Sequence, residues 1–355
     1  MEVGMQMIFT SHGYDGISDG QVYDEEIHLA LLAEEFGFGS LWPVEHHYYD
    51  YSFCPDNTQM LSYLAARTER IELATGAVIL PWNEPLRVAE KISMLDQLSG
   101  GRVRFGVGRG LSRREYGHFR GIEMDEARER FDEASLMIQD ALETGFMEGD
   151  GKYYPQPRTE IRPRPTKTFK DRTYAIAGSR DSVAACAQLG AHLVMFAENH
   201  WEKRIDHIES WRSMHRDIHG TDAPAPMTSD FTFCHPDADY AKEMAERHMA
   251  TYLMSILEHY ELFSDHFGEI KGYRGYAKQA AFLEKVGVDG YVKGFLAANA
   301  WGTPDQLLET FNARRTAIGD FELATCFRYG GMPIDESEAS MRLFANEVLP
   351  ELQSW

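Results

Sequence analysis

The residues best suited to chemistry fall at four places along the chain. Glu45-His46-His47 runs straight into Tyr48-Tyr49-Asp50-Tyr51. An imidazole there could move protons near neutral pH, or it could be a hydrogen-bonded structural group. Adjacent residues of a strand point to opposite faces, so only one of His46 and His47 can face a site on one side. No metal centre is expected, because no HxH or HExxH spacing supplies further ligands. The second place is Arg104-Phe105-Gly106-Val107-Gly108-Arg109-Gly110. Its glycines would let a ligand approach the backbone, and Arg109 offers a forked donor suited to phosphate. The order GVGRGL does not meet the GxGxxG fingerprint, and a plain turn with an exposed Arg remains open.

The third place is Ala177-Gly178-Ser179, with Arg180-Asp181-Ser182 opening a helix. First-turn N–H groups bind anions, and Ser179 or Ser182 could add a hydroxyl. An ordinary N-cap at Ser179 explains the same residues and is compatible with a phosphate facing it. The fourth is Thr75-Gly76-Ala77-Val78-Ile79-Leu80-Pro81-Trp82, where Trp82 could line a pocket or cover the end of a core strand. Tyr48, Tyr49, Tyr51, Phe53, Trp82 and Met195 are candidates for an aromatic-rich pocket, which would favour an apolar or ring-containing substrate; they could equally be core.

These residues need a frame. Apolar, β-branched runs recur at Val3–Thr10, Gly39–Glu45, Ile71–Leu80, Arg102–Gly108, Thr173–Ala177, His192–Ala197, Met227–Cys234 and Phe321–Arg328, separated by helical patterns. Eight strand–helix units are the number that closes a (β/α)8 TIM barrel, and an open doubly wound sheet is the competing architecture. Helices are expected over Tyr23–Phe36, Glu84–Leu98, Asp125–Phe146 and Glu336–Leu349, with Pro350 as a stop. Thr303-Pro304-Asp305-Gln306 reads as a capping box. Tyr153–Lys170, with four prolines, reads as a surface connection. Phe267–Asn299 holds six glycines in 33 residues and reads as a long mobile Gly-rich insertion before the last helix–strand unit.

Composition narrows the class. Fifty-six Asp and Glu against 35 Lys and Arg give a net charge of −21. Such a chain repels phosphate backbones and anionic lipid, so neither nucleic acid nor membrane is an expected partner. The 43% hydrophobic residues suffice for a large core. Four scattered cysteines, no basic leader and no apolar run of membrane length point to a soluble cytoplasmic protein.

Taken in order, Glu45-His46-His47, Thr75–Pro81, Leu95–Gly110, Gly302-Thr303-Pro304 and Ser340–Phe344 through Pro350 resemble the luciferase-like flavin-dependent monooxygenases over nearly the whole chain. Leu95–Gly110 carries the strongest likeness. The resemblance implies one barrel domain over residues 1–355 that binds FMN at its C-terminal mouth. Reduced FMN would come from a separate flavin reductase, react with dioxygen to a flavin hydroperoxide, and oxygenate a small organic substrate. It implies His46 as the proton-handling residue, Arg109, Gly178, Ser179 and Ser182 at the flavin phosphate, and a cis peptide at Gly76-Ala77 under the flavin ring. It further implies a homodimer and a mobile active-site lid at 267–299. Gly108, Gly178 and Ala197 stand where the light-emitting members carry cysteine, glutamate and tryptophan, and Trp82–Pro85 replaces a tract that usually puts His or Arg before the proline. These departures speak against light emission and a long-chain aldehyde substrate. A deazaflavin-dependent oxidoreductase on the same barrel and a flavin-binding protein without catalysis are the alternative readings.

Overall fold

The β-branched runs pair side by side in one direction. The computed structural model describes residues 1–197, 201–263, 270 and 274–355; for 274–280 this covers the main chain. Its strands are β1 (Val3–Met7), β2 (Ser40–Pro43), β3 (Glu72–Ala74), β4 (Val103–Gly108), β5 (Thr173–Ile176), β6 (His192–Phe196), β7 (Met227–Cys234) and β8 (Glu322–Cys326). Each pairs in parallel with the next in sequence, and β8 pairs back onto β1, with Val3 opposite Leu323. That closure excludes the open sheet and makes the fold a (β/α)8 barrel. A short piece, Val78–Ile79, continues beyond β3 and pairs with Val107 and Gly108 of β4. Glycine at 106 is required by packing: a Cβ there would lie 2.0 Å from the Thr75 carbonyl oxygen.

The helices that separate the strands begin where polar caps stand. Ser18 and Gln21 form a capping box that starts the first helix at Asp19, four residues before the position expected from periodicity. Thr303 and Gln306 form the expected box before Pro304–Ile318. Two expectations are corrected at the proline-rich segments. Gln156–Glu160, inside the supposed surface connection, pairs antiparallel with Phe146–Gly149 as a hairpin. Pro350 does not end the chain's helices; it sits in the first turn of a further one, Leu349–Ser354, where proline's missing N–H is harmless.

The Gly-rich insertion is also corrected in part. Arg274–Ala298 is helical, broken at Gly287 (φ 71°), and a short strand Ala300–Gly302 follows and pairs with β7. Leu283, Tyr291, Phe295 and Leu296 are buried in the apolar cluster above the barrel mouth. The glycines masked this stripe by lowering the apparent helix propensity. The remainder of 267–273 lies outside the described residues, Ile270 excepted.

Ion pairs hold the opposite end. Arg104 of β4 contacts Glu72 of β3 and lies 3.3 Å from Glu322 of β8 and 3.6 Å from Glu2, with the Tyr174 hydroxyl at 3.0 Å. Past the C-terminal end of β1, on the mouth side, buried Glu26 accepts the Phe9 N–H at 3.1 Å and lies 3.8 Å from Arg328. Burial pushes its carboxyl up to about 7, with Arg328 opposing. The folded state therefore holds this proton more tightly than the unfolded chain, and the stability it contributes at low pH is lost as pH rises through about 7. Glu26→Gln, which keeps an acceptor for Phe9, is expected to flatten the stability profile between about pH 4.5 and 7, as read by urea unfolding at several pH values.

Candidate active site

A large cavity opens where the C-terminal ends of the strands converge, the functional face of such barrels. Its polar portion is built from two strand ends. β4 runs out through Gly108 into Arg109, and Gly110 (φ 76°) then turns the chain away. The Tyr116 hydroxyl donates to the Arg109 carbonyl and fixes this turn. β5 runs out through Gly178 into Ser179, which caps Arg180–Gln188. The Ser179 N–H donates to the Ser182 hydroxyl at 2.9 Å, and the Ser182 N–H returns a bond to the Ser179 hydroxyl at 3.3 Å. That box leaves the first-turn amides of Arg180 and Asp181 as the kind of N–H group a helix cannot satisfy internally. Burial raises the Asp132 carboxyl, with Arg128 and Arg109 opposing. Arg109, Gly178, Ser182 and Arg204 all line the cavity; Ser179 supports it as the cap.

The apolar portion is aromatic. Tyr51 lies 5.7 Å from Tyr252 and 5.4 Å from Tyr260, and Phe231 lies 4.6 Å from Tyr252 and 5.7 Å from Phe295, centroid to centroid. Tyr291 of the broken helix joins the lining. Gly76, Ala77, Ile79, Gly108 and Ile176 form a wall of small or aliphatic groups, and the Gly76-Ala77 peptide is cis.

His46 lies just past β2 and lines the cavity. Its N–H donates to the Cys54 carbonyl at 3.1 Å, and its ring stands edge-on to Tyr51 at 4.9 Å. Its Nδ1 lies 3.1 and 3.3 Å from the two oxygens of buried Glu115. His47 turns elsewhere, against Phe119 and Trp82 and toward Glu45. Glu45 accepts the Ile79 N–H and the Asn83 amide, each at 2.9 Å, and so ties the end of β2 to the continuation of β3.

The other sequence candidates divide. Trp82, Met195 and Tyr51 line the cavity. Tyr48 does not: it is 58% exposed with φ 70°, and its ring packs on His118. Tyr49 and Phe53 are also outside the lining. Sequence reading missed Arg204, Phe231, Tyr252, Tyr260, Tyr291 and Phe295, whose local sequence carries no motif. It also missed that His46, Glu115 and His259 bring ligand-type atoms within 4.8 Å of one another. The contacts Glu115 makes with both histidines are hydrogen bonds.

The model of the luciferase-like monooxygenase family matches residues 1–320. The chain belongs to this family. It is a luciferase-like monooxygenase by that membership. The alkanal monooxygenase alpha chain of Photorhabdus luminescens is 25% identical over 343 residues, covering 95% of this chain and 94% of the relative. The crystal structure of the monooxygenase RslO1 from Streptomyces bottropensis superposes with a TM-score of 0.83 at 26% identity, covering 99% of each chain. The oxygenating constituent of 3,6-diketocamphane monooxygenase from Pseudomonas putida, a type II Baeyer–Villiger enzyme in complex with FMN, gives 0.76 at 21% over 99% and 98%. The luciferase-like barrel is not tied to one cofactor: a coenzyme F420-dependent tetrahydromethanopterin reductase from Methanopyrus kandleri gives 0.69 at 18% over 99% of each chain.

In this luciferase-like barrel, Arg109→Ala is expected to weaken binding of reduced FMN by about 1.5–3 kcal/mol, the contribution of a charge-assisted hydrogen bond. An anaerobic equilibrium titration measures it, and unchanged affinity would remove Arg109 from the phosphate site.

Proposed function

We propose that this protein is the oxygenase of a two-component system: it takes reduced FMN from a separate reductase and uses dioxygen to oxygenate a small, apolar, ring-containing substrate. The observation that carries the reading is one cavity with two chemistries. A guanidinium-and-amide corner suits a phosphate, and an aromatic chamber beside His46 suits an organic substrate.

The residues fit FMN. Arg109, Arg204, Ser182 and the helix start at Arg180 would hold the phosphate dianion. Gly108 and the Gly76-Ala77 edge present a flat wall that a ring system could lie against. Reduced FMN, when bound, supplies the electrons that activate dioxygen. His46 exchanges protons with the reacting oxygen, and the aromatic side chains orient the substrate and exclude water. The whole chain, 1–355, works as one barrel unit in which the broken helix Arg274–Ala298 covers the mouth. Exposed Tyr63, Met94 and Leu98, on the helices Asn57–Ala65 and Pro85–Leu98, supply the apolar surface for a homodimer. The reductase is a transient partner, neither nucleic acid nor membrane is one, and the cytoplasm is the setting. No described helix is long and apolar enough to cross a membrane.

The test is cofactor supplementation in air with a panel of ring-containing substrates. Reduced FMN should drive oxygen uptake and an oxygenated product, and a reduced deazaflavin should not. Hydride transfer from the deazaflavin with no oxygen uptake would overturn the reading, as would FMN binding with neither uptake nor product. Because the covering helix is part of the apolar cluster, its role is better probed by a point change than by deletion. Phe295→Ala is expected to leave the fold intact and raise the peroxide released per reduced FMN at the expense of product, measured by a peroxidase-coupled assay.

A further inference from the structure

The function proposed above gives His46 a proton to move but does not say which ring nitrogen moves it, or what holds the ring. We infer that Glu115 and His259 are positioning residues that lock His46 in the Nδ1–H tautomer, with bare Nε2 directed to the cavity. The inference rests on that reading for its catalytic meaning and on the contacts and charge of Glu115 for the tautomer.

Glu115 sits in the short helix Arg113–Tyr116, where the Ser112 cap takes its N–H at 3.3 Å. Its side chain has no solvent exposure, yet its carboxylate meets three nitrogens. They are the His47 N–H at 2.7 Å, His46 Nδ1 at 3.1 Å and His259 Nε2 at 3.3 Å. Burial acts to raise this carboxyl, but His46 and His259 outweigh it and hold it well below the usual carboxylate range. Glu115 is therefore ionised, and an ionised carboxylate only accepts. The nitrogens that face it must carry hydrogen. In a neutral imidazole the other nitrogen is then an acceptor, so for His46 it is Nε2, on the ring that lines the cavity.

His259 completes the arrangement. It ends the helix Ala238–His259, is 2% exposed, and stacks on Tyr51 with centroids 4.3 Å apart and planes 12° from parallel. Burial pushes its pKa down, with Glu115 opposing, so it stays neutral beside His46. Its Nε2–H holds the second carboxylate oxygen, while its Nδ1 has no hydrogen-bond partner among the described residues. The carboxylate is thus gripped from two sides and presents one face to His46. When Nε2 accepts a proton, the imidazolium formed lies against a fixed negative charge, and when it releases the proton the ring cannot turn away. Orientation of a working imidazole by a buried carboxylate is a general physical device; here it is built from residues 69 and 144 positions apart.

The test is nitrogen-15 NMR of histidine-labelled full-length protein, with and without FMN, with the His46 signals identified by their loss in His46→Gln. Wild-type protein should show His46 with Nδ1 protonated and Nε2 bare at pH 8. An Nε2–H tautomer would overturn the proposal whatever the enzyme's activity. Two variants then test the positioning role. Glu115→Gln removes the charge, and His259→Phe keeps the stack on Tyr51 and removes only the donor. Each is expected to lower kcat about 10- to 100-fold with KM and FMN affinity unchanged, as loss of an orienting partner does, and Glu115→Asp should recover part of the Glu115→Gln loss. Unaltered kcat in folded Glu115→Gln would overturn the positioning role. A wild-type protein that has the expected tautomer but oxygenates nothing would instead overturn the function proposed above and leave the tautomer standing.

Discussion

His46→Ala is expected to cut product formation about 100- to 10,000-fold, the usual loss on removing a general acid or base, while the protein still folds and binds FMN. Among the described residues, the ring is the one imidazole that both lines the cavity and touches an ionised carboxylate. Its backbone is anchored independently by the bond to Cys54, so losing the side chain does not free the loop. His47→Ala should do less to rate, because that ring packs on Phe119 and Trp82 and leans on Glu45. Rapid-mixing kinetics with a thermal melt decide it: a purely structural His46 would lose melting temperature and activity together. A folded variant turning over at the wild-type rate would sink the assignment.

The largest stability effect is expected at Arg314. This guanidinium, 1% exposed, makes a two-pronged contact with Asp230 of β7 at 2.6 and 2.5 Å and donates to Thr228 at 2.8 Å. It also lies over the Trp201 ring at 4.4 Å. Arg314→Met would leave a buried carboxylate without its counter-charge, and breaking such a pair from one side costs about 3–5 kcal/mol. Arg314→Lys should also destabilise, since an ammonium cannot reproduce the fork. Adding Asp230→Leu to Arg314→Met should restore much of the loss, because the cost is that of a stranded charge. Urea unfolding of the three variants measures this, and additive losses in the double variant would refute the account.

The barrel was legible because a parallel sheet buried on both faces needs β-branched runs, and all eight runs became strands at or within their expected bounds. What blurred was local chemistry that imitates something else. Prolines concealed the hairpin at Gln156–Glu160, and glycines concealed the helix at Arg274–Ala298. Of the site, His46, Arg109, Gly178 and Ser182 could be found because each follows directly from a strand end, where a barrel places its function. Glu115, Arg204 and His259 could not: they meet the site only after the barrel closes and distant helices dock. Tyr48 misled because an aromatic run after a strand offered it as a pocket or core candidate, whereas a left-handed turn at that residue sends its ring to solvent.

The four-way clamp of Arg104 on Glu2, Glu72, Glu322 and Tyr174 bears on how this chain can be diversified. It fastens β4 to β3 and β5 beside it, and to β8 and the start of β1 across the barrel, at the end remote from the mouth, so the strand ends are registered by contacts that no substrate touches. Exchanges at Phe231, Tyr252, Tyr291 and Phe295 should then draw on a stability reserve they do not themselves supply, and combine nearly independently of the clamp. A library varied at those four positions should stay mostly folded while its substrate range drifts; the same number of changes spread to include Arg104 should give mainly insoluble protein.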